Sequence, residues 1–463
     1  MIARATRPAW TRFEAASRDP ERAQLRRLRS IVSRAVGLEG VSSLREFRRR
    51  APVQAWDTLA PATERIANGE PAVFTRDSVV AVELSSGSTG ARKLVPFTEA
   101  GLAEYAASAQ AWLHDLCRAF PAVDSGKHYW SLSPSGRRPS ITAGGLPVGV
   151  HDARFLGAAG PIFANQLAVS PDVARHDLET CRRLTREALI HTPRLALLSV
   201  WSPTFLDFLA DVPPETWPEL AVISAWSDAA SAGPAEALAR RFPGVHFQPK
   251  GLMATEGVVS FPVHGAPAPV VAVSGHFLEF EEPSGRCRMA HELAVGQTYA
   301  PVLTTSSGLR RYRLGDLVRV EGWYHRAPCV RFVGRTDGRV DLAGEKLEPV
   351  FVGEVLERVR RPLGLRWTFA MLAPETLPRR YVLFVDAGHE ELARRVEEAL
   401  GENPHYAYCR ALGQLAPLEV ALVSEGARRA EGRYVADGGR AGDFKLTPLD
   451  PRLDWRGWLQ PAP

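Results

Sequence analysis

Lysine is scarce in this chain. Of 57 basic residues five are lysine, Lys93, Lys127, Lys250, Lys346 and Lys445, and arginine supplies the rest. A chain that otherwise uses the flat arginine fork keeps lysine where a compact point charge is wanted, so each of the five marks a position to inspect. Cysteine is also thin. Cys117, Cys181, Cys287, Cys329 and Cys409 are odd in number and scattered, without the short paired spacings of a zinc site or a redox pair. Reduced, unpaired thiols are the expectation. No apolar run approaches the ~20 residues of a membrane span, and the N-terminal stretch has no apolar signal core of ~7–15 residues. A cytoplasmic protein without a membrane partner is expected. Missing too is any basic tail or aromatic-interleaved basic patch. The net charge of +5 is spread over arginines mixed with acids, as in "RRVEEAL", so counterion release does not point to nucleic acid.

What is present is a soluble globular composition, 45% hydrophobic and 24% charged, over 463 residues. That length exceeds one ordinary core and predicts a large domain with a smaller one. No internal repeat is visible. In "PERAQLRRLRSIVSRAV", Leu25, Leu28, Ile31, Val32 and Val36 fall at helical spacing and predict a helix with one core-facing side. "AVELSS" reads as a strand entering a Gly/Ser turn, and "FTEAGLAEYAASAQAWLHDLCRAF" as a long helix begun by a Thr98 cap. Short runs such as "PRLALLSV", "ELAVIS", "VVAVSG", "YAPVLTT" and "CVRFVG" predict a mixed α/β architecture. The pattern restarts near Asp337. "RVDLAGEKLEP" reads as strand and turn, "FVGEVLERVRR" and "EELARRVEEAL" as helices, and "RWTFAMLA", "RRYVLFVDAG" and "LEVALVS" as strands. Domains of residues 1–336 and 337–463 are therefore expected.

Four motifs carry chemistry. Ser85-Ser86-Gly87-Ser88-Thr89-Gly90-Ala91-Arg92-Lys93 follows a strand-like run. Its small residues let the backbone approach a polyphosphate, whose charge the two cations offset. It is not the common P-loop, because Gly-Lys-Ser/Thr does not follow at the required spacing. Alone it is as well read as a turn. Lys250 precedes Gly251-Leu252-Met253-Ala254-Thr255-Glu256-Gly257, a loop that can lie along a purine and offer one carboxylate to magnesium, although taken alone it reads first as a helix start in which Thr255 and Glu256 act as a cap. Tyr312-Arg313-Leu314-Gly315-Asp316 and Phe332-Val333-Gly334-Arg335-Thr336-Asp337 place an aspartate beside glycine, suited to ribose hydroxyls or to a plain surface turn. Gly442-Asp443-Phe444-Lys445 sets a lysine near the C-terminus, elsewhere usually a solvated charge. Lys93, Lys250, Lys346 and Lys445 all fall within or beside these strings.

In this order and spacing the motifs resemble the adenylate-forming superfamily, which includes acyl-CoA ligases, luciferases and peptide-synthetase adenylation domains. "PVQAWDTLAPATERIANGE", "SSGSTGARKLVP", "YWSLSP", "VWSPTFL", "KGLMATEG", "GHFLEFEEP", "LRRYRLGDLVRV" and "RFVGRTDGRVDLAGEKL" are similar to the auxin-responsive, or Gretchen Hagen, family of acyl acid amido synthetases in its bacterial form. The likeness runs from about residue 50 to residue 448.

The resemblance implies a large N-terminal mixed α/β domain and a smaller, mobile α+β C-terminal domain. It implies that the Ser85 to Lys93 loop holds the β- and γ-phosphates of ATP, with Ser85, Ser86, Gly87, Ser88, Thr89, Gly90 and Lys93 as contacts. Met253, Ala254 and Thr255 would lie against adenine and α-phosphate, and Glu256 would hold Mg2+. Asp316 would bind ribose, Arg335 would stand near ribose or phosphate, Asp337 would be the pivot, and Lys445 the catalytic lysine. "SAWSDAAS" falls where relatives line the acyl pocket, so Trp201, Ser202, Phe205 and Trp226 are pocket candidates, or ordinary core aromatics. The implied reaction joins a small-molecule carboxylic acid, mildly favoured as aromatic, to an amine or amino acid through an acyl-adenylate. An acyl-CoA or aryl-CoA ligase shares every nucleotide motif and is the alternative within enzymes. A regulatory protein that has lost catalysis is the alternative outside them. The base for the amine is not assigned; His151 and His264 are single histidines without a supporting pattern. A monomer is the default.

Overall fold

Four short segments become a parallel sheet in the computed structural model, which describes residues 1–85, 93–131, 140–150, 152–336 and 338–460. The strands Lys127–Trp130, Leu195–Ser199, Val222–Ala225 and His246–Pro249 pair in that order, all parallel. Parallel strands need crossovers and burial on both faces, which is why "LALLS" and "VISA" read as unbroken small or apolar runs. The helices Leu178–Ile190 and Ala232–Arg241 supply two of the connections.

The helix Glu99–Ala119 covers one face of this sheet. It begins as the Thr98 cap predicts, with the Thr98 hydroxyl accepting from the Gly101 N–H at 3.1 Å. The N-terminal helix Ile2–Arg18 packs along it and buries Ile2, Trp10 and Phe13 in the same core as Trp112, Leu116 and Phe261. The predicted helix near residue 20 spans Pro20–Val32. Leu28, Ile31 and Val32 are buried, while Val36 falls past its end and is half-buried.

An eight-stranded antiparallel sheet completes the first part of the chain. It contains Phe277–Glu281, Thr298–Thr304, Asp316–Tyr324 and Ala327–Arg335. Only Val270–Val271 of the "VVAVSG" run is strand, because the chain turns at once, with Gly275 N–H donating to Ala272.

From Val340 onward the chain builds cores of its own on both faces of a three-stranded sheet, Ala370–Thr376, Arg379–Val385 and Glu419–Leu422. Strand alternation sends Leu372 and Leu383 to one face with Leu356 and Leu392, and Met371 and Phe384 to the other with Phe444 and Trp455. The helices Pro349–Arg360 and Leu392–Leu400 follow the predicted runs. All five cysteines are free and buried. Among the described residues no helix is long and apolar enough to cross a membrane.

Candidate active site

The Thr-Glu loop is a hairpin turn rather than a helix start. Met253–Ala254 pairs antiparallel with Gly257–Val258, Ala254 opposite Gly257, leaving Thr255 and Glu256 at the two-residue tip. Glycine at 257 is required by close approach, since a Cβ there would stand 2.8 Å from the His276 ring and 2.9 Å from Leu303. His276 is itself held, its Nδ1 lying 3.0 Å from the Glu104 carboxylate.

Three of the motifs meet at this turn. Lys93 Nζ donates to the Tyr312 hydroxyl at 3.1 Å, and that hydroxyl donates to Glu256 Oε1 at 3.3 Å. The partners are 219 and 56 positions apart in sequence. Lys93 also lies 5.7 Å from the Trp56 ring and 5.8 Å from that of Tyr312. Burial, with the Glu256 charge adding to it, pushes the Tyr312 phenol up, so it stays a neutral donor. Asp316 opens the next strand, opposite Arg335 in the ladder, and its Oδ1 accepts from Arg335 Nη1 at 2.9 Å. Asp316 is buried and Arg335 half-buried. The result is one carboxylate at a turn, a lysine and an arginine, which suits an anionic, hydroxyl-bearing ligand.

Sheet register explains the tryptophans. Trp130, Ser199, Ser224 and Gln248 are cross-strand neighbours in one row near the carboxyl ends of the parallel strands. Two residues on, Trp226 N–H donates to Trp201 and Lys250 N–H to Ala225, carrying the pairing one level higher. Trp201 and Trp226 lie against each other with ring centroids 5.7 Å apart. Ser202, one residue out of phase, is buried and shares a hydrogen bond with Thr204 at 2.7 Å. Phe205 is buried with Leu206 and Leu209 in the core behind the sheet. Of the four pocket candidates, the two tryptophans therefore share a face and the other two lie away from it.

Lys445 is exposed on the turn after Phe444, whose ring anchors it in the C-terminal core, and its Nζ lies 4.9 Å from the centre of the Trp226 ring. Met253 and Ala254 are half-buried against the main core, and Thr255 is half-buried beside them. Ser85 ends its strand, while Ser86, Gly87, Ser88, Thr89, Gly90, His151 and Asp337 lie outside the described residues. His264 is exposed, packed on Phe120 and His246. Among the described residues no group of three or more His, Cys, Asp or Glu is arranged to hold a metal ion.

Sequence reasoning missed two participants. Tyr312 stood inside a motif without a role of its own, and Lys250 stood in front of one. Only the scarcity of lysine marked Lys250. It is 6% exposed, donates to Ser199 Oγ at 2.8 Å, and lies 4.9, 5.0 and 6.0 Å from the ring centres of Trp201, Trp112 and Trp130. Burial pushes its ammonium down to about 7.

Models of the GH3 family N-terminal, central and C-terminal domains match residues 9–222, 270–335 and 354–449. A probable indole-3-acetic acid-amido synthetase of Oryza sativa subsp. japonica is 25% identical over 571 aligned residues, covering 95% of this chain and 92% of that protein. An indole-3-acetic acid-amido synthetase of Arabidopsis thaliana is 22% identical, covering 96% and 93%. A solved acyl acid amido synthetase in complex with 2,4-DB superposes with a TM-score of 0.85 at 20% identity, over 99% of this chain and 96% of that one. A 2-hydroxyisobutyryl-CoA ligase in the postadenylation state superposes with a TM-score of 0.56 at 13% identity, over 98% and 89%. The fold is thus the mixed α/β fold of adenylate-forming enzymes, a large N-terminal part followed by a C-terminal domain. With three domain models of one family matching in chain order along most of its length, the chain belongs to the GH3 family.

Proposed function

We propose that this protein is an ATP-dependent acyl acid amido synthetase, which adenylates a carboxylic acid and passes the acyl group to an amine or amino acid. The observation that carries the reading is the relay from half-buried Lys93 through buried Tyr312 to buried Glu256, which gathers one residue from each of three motifs next to the Asp316–Arg335 pair. In the first step the acid's carboxylate attacks the α-phosphorus of ATP and pyrophosphate leaves. The requirement is to hold two anions together while charge builds on the phosphoryl oxygens. Lys93, with the Ser85 to Gly90 loop, takes the β- and γ-phosphates. Met253, Ala254 and Thr255 take adenine and α-phosphate, Asp316 the ribose, and Arg335 the ribose or phosphate beside it.

Glu256 fits as the protein's ligand for Mg2+, because a hard cation of that size is commonly held by one carboxylate and the substrate's own phosphate oxygens. Magnesium bound there supplies charge neutralisation to the polyphosphate. Tyr312 orients the Glu256 carboxylate by donating to it. In the second step a neutral amine attacks the acyl carbon, AMP leaves, and the amine's proton is lost to a base.

Residues 337–463 are the proposed mobile domain, pivoting at Asp337 to deliver Lys445, whose ammonium stabilises the charge of the first step. The likeness of the chain's strings to the bacterial form of the family supports a bacterial source. The dispersed charge supports small molecules rather than nucleic acid as partners, the lack of a long apolar run supports a cytoplasmic protein without a membrane partner, and a monomer is the default. An acyl-CoA or aryl-CoA ligase is the second reading, supported by the shared fold of the 2-hydroxyisobutyryl-CoA ligase.

Lys445→Ala tests the assignment. Acid-dependent pyrophosphate release is expected to fall by orders of magnitude with ATP binding retained, and a variant with near-normal release sinks the role of Lys445. Product analysis with pooled amino acids, simple amines and coenzyme A separates amide from thioester formation.

A further inference from the structure

Lys250 is a buried cation that the adenylation chemistry above does not use. Among the described residues it has no carboxylate partner, and one hydrogen bond, to Ser199, engages one of its three donors. A buried ammonium without a counter-charge is costly, so this one gives up its proton readily, and a ligand that supplies a negative charge offsets that cost.

The surroundings say what kind. In the row beneath it, the Ser224 hydroxyl is fully buried, and both it and the buried Trp130 indole nitrogen lack a hydrogen-bond partner among the described residues. An indole N–H donates only, an ammonium donates only, and a hydroxyl does either. The vacant hydrogen-bonding capacity is therefore donor-rich and positive, which matches a carboxylate. Trp112, another indole beside Lys250, already donates to Gln248 Oε1 at 2.9 Å. The carboxyl end of a parallel sheet is also where open α/β folds receive ligands.

The tryptophans set the geometry. Trp201 and Trp226 form a two-ring shelf, with Lys250 Nζ 4.9 Å from the first ring and Lys445 Nζ 4.9 Å from the second. A planar acid on that shelf with its reacting carboxylate at the Lys445 end directs its far end to Lys250.

We infer that Lys250 anchors a second carboxylate, remote from the one that is activated, so that the acyl substrates are planar dicarboxylic acids. The inference rests on the adenylation reading for the direction of the substrate. Binding of the dianion restores the ammonium's charge and engages its free donors, whereas an acid ending in a methyl group leaves both unmet.

The test compares matched acids, terephthalate with para-toluate and para-carboxycinnamate with para-methylcinnamate, in pyrophosphate release and in thermal shift of the full chain. Wild type is expected to favour the diacid of the pair whose length fits by at least about tenfold in kcat/KM. Lys250→Met, close in shape and uncharged, is expected to lose about 100-fold on that diacid and to keep or improve the methyl analogue, inverting the preference. The inference is overturned if wild type favours neither diacid, or if Lys250→Met lowers both members of a pair alike. Should none of the four acids release pyrophosphate, thermal shift decides: diacid-specific stabilisation that Lys250→Met abolishes upholds the anchor while counting against adenylation of these acids, and its absence in wild type overturns the anchor.

Discussion

Tyr312 matters through a single oxygen. Its hydroxyl accepts from Lys93 and donates to Glu256, so Tyr312→Phe removes both contacts without opening a cavity in the ring's packing. Because a buried carboxylate loses one donor, the expected effect is about 1–2 kcal/mol, seen as roughly a tenfold rise in the magnesium and ATP concentrations needed for half-maximal pyrophosphate release, with the melting temperature little changed. A magnesium titration at fixed ATP checks it. Lys250 makes a second prediction, on stability against pH. Its ammonium falls from an ordinary 10.5 to about 7 on folding, so between those values the unfolded chain binds more protons than the folded one. Stability from this group therefore rises with pH from about 7 to about 10.5 and is flat below. Lys250→Met removes that slope. We expect it to raise stability at pH 7 by on the order of 2 kcal/mol, less than the full shift because the Ser199 contact and the ring contacts are lost too, with the gain falling by about 1.4 kcal/mol per pH unit, gone by about pH 9 and reversed above it. Thermal melts at several pH values read this directly. The sequence marked Lys250 by rarity alone. It did not reveal Tyr312's role, because that depends on contacts to residues 219 and 56 positions away.

Strands and helices were legible where a local cause decides them. Thr98 announces its helix because the cap and the first turn are neighbours in sequence. Two strands of the parallel sheet, Leu195–Ser199 and Val222–Ala225, were legible as apolar runs, whereas Lys127–Trp130 and His246–Pro249 are too polar to stand out, and nothing in any one run says that its neighbours are parallel. The Thr-Glu loop was ambiguous for the opposite reason: its residues suit a helix start, and the hairpin wins because Val258 and Met253 pair over a bed formed by His276 and Leu303. That bed has no slack, since His276 is 2% exposed and Leu303 fully buried. Gly257→Ala must displace one of them, at about 1–3 kcal/mol, and will tilt the turn that carries Glu256. Lower thermal stability together with a higher KM for ATP is the expected pair of results. Loss of stability at unchanged KM would mean that the strain relaxes into the core and leaves the turn in place.

At the scale of the molecule, the restart of the pattern near residue 337 foretold a separate C-terminal core, because each core needs its own set of apolar periodicities. How that unit meets the rest was not legible, since its contacts, several of them single charges, join residues far apart in sequence. Arg182 donates to the buried Glu431, Arg360 lies 3.7 Å from Glu236, Arg440 lies 3.7 Å from Glu83, and Lys445 rests on Trp226. Ion pairs at a boundary between two finished cores can be broken without unfolding either, which is what a swinging domain requires. The Arg182–Glu431 pair is the buried one, with Glu431 6% exposed. Glu431→Gln keeps the side chain's shape and removes its charge, leaving the partly buried Arg182 with the attraction of Asp207, a loss of roughly 1–3 kcal/mol from docking. The unit should then sample undocked positions, raising the radius of gyration measured by X-ray scattering while the secondary structure measured by circular dichroism stays constant. In wild type, high salt should act in the same direction but more weakly, because the exposed pairs are screened and the buried one is not. An unchanged scattering profile in Glu431→Gln would show that the apolar contacts at Ala441, which packs into the core behind the parallel sheet, are enough to hold the domain.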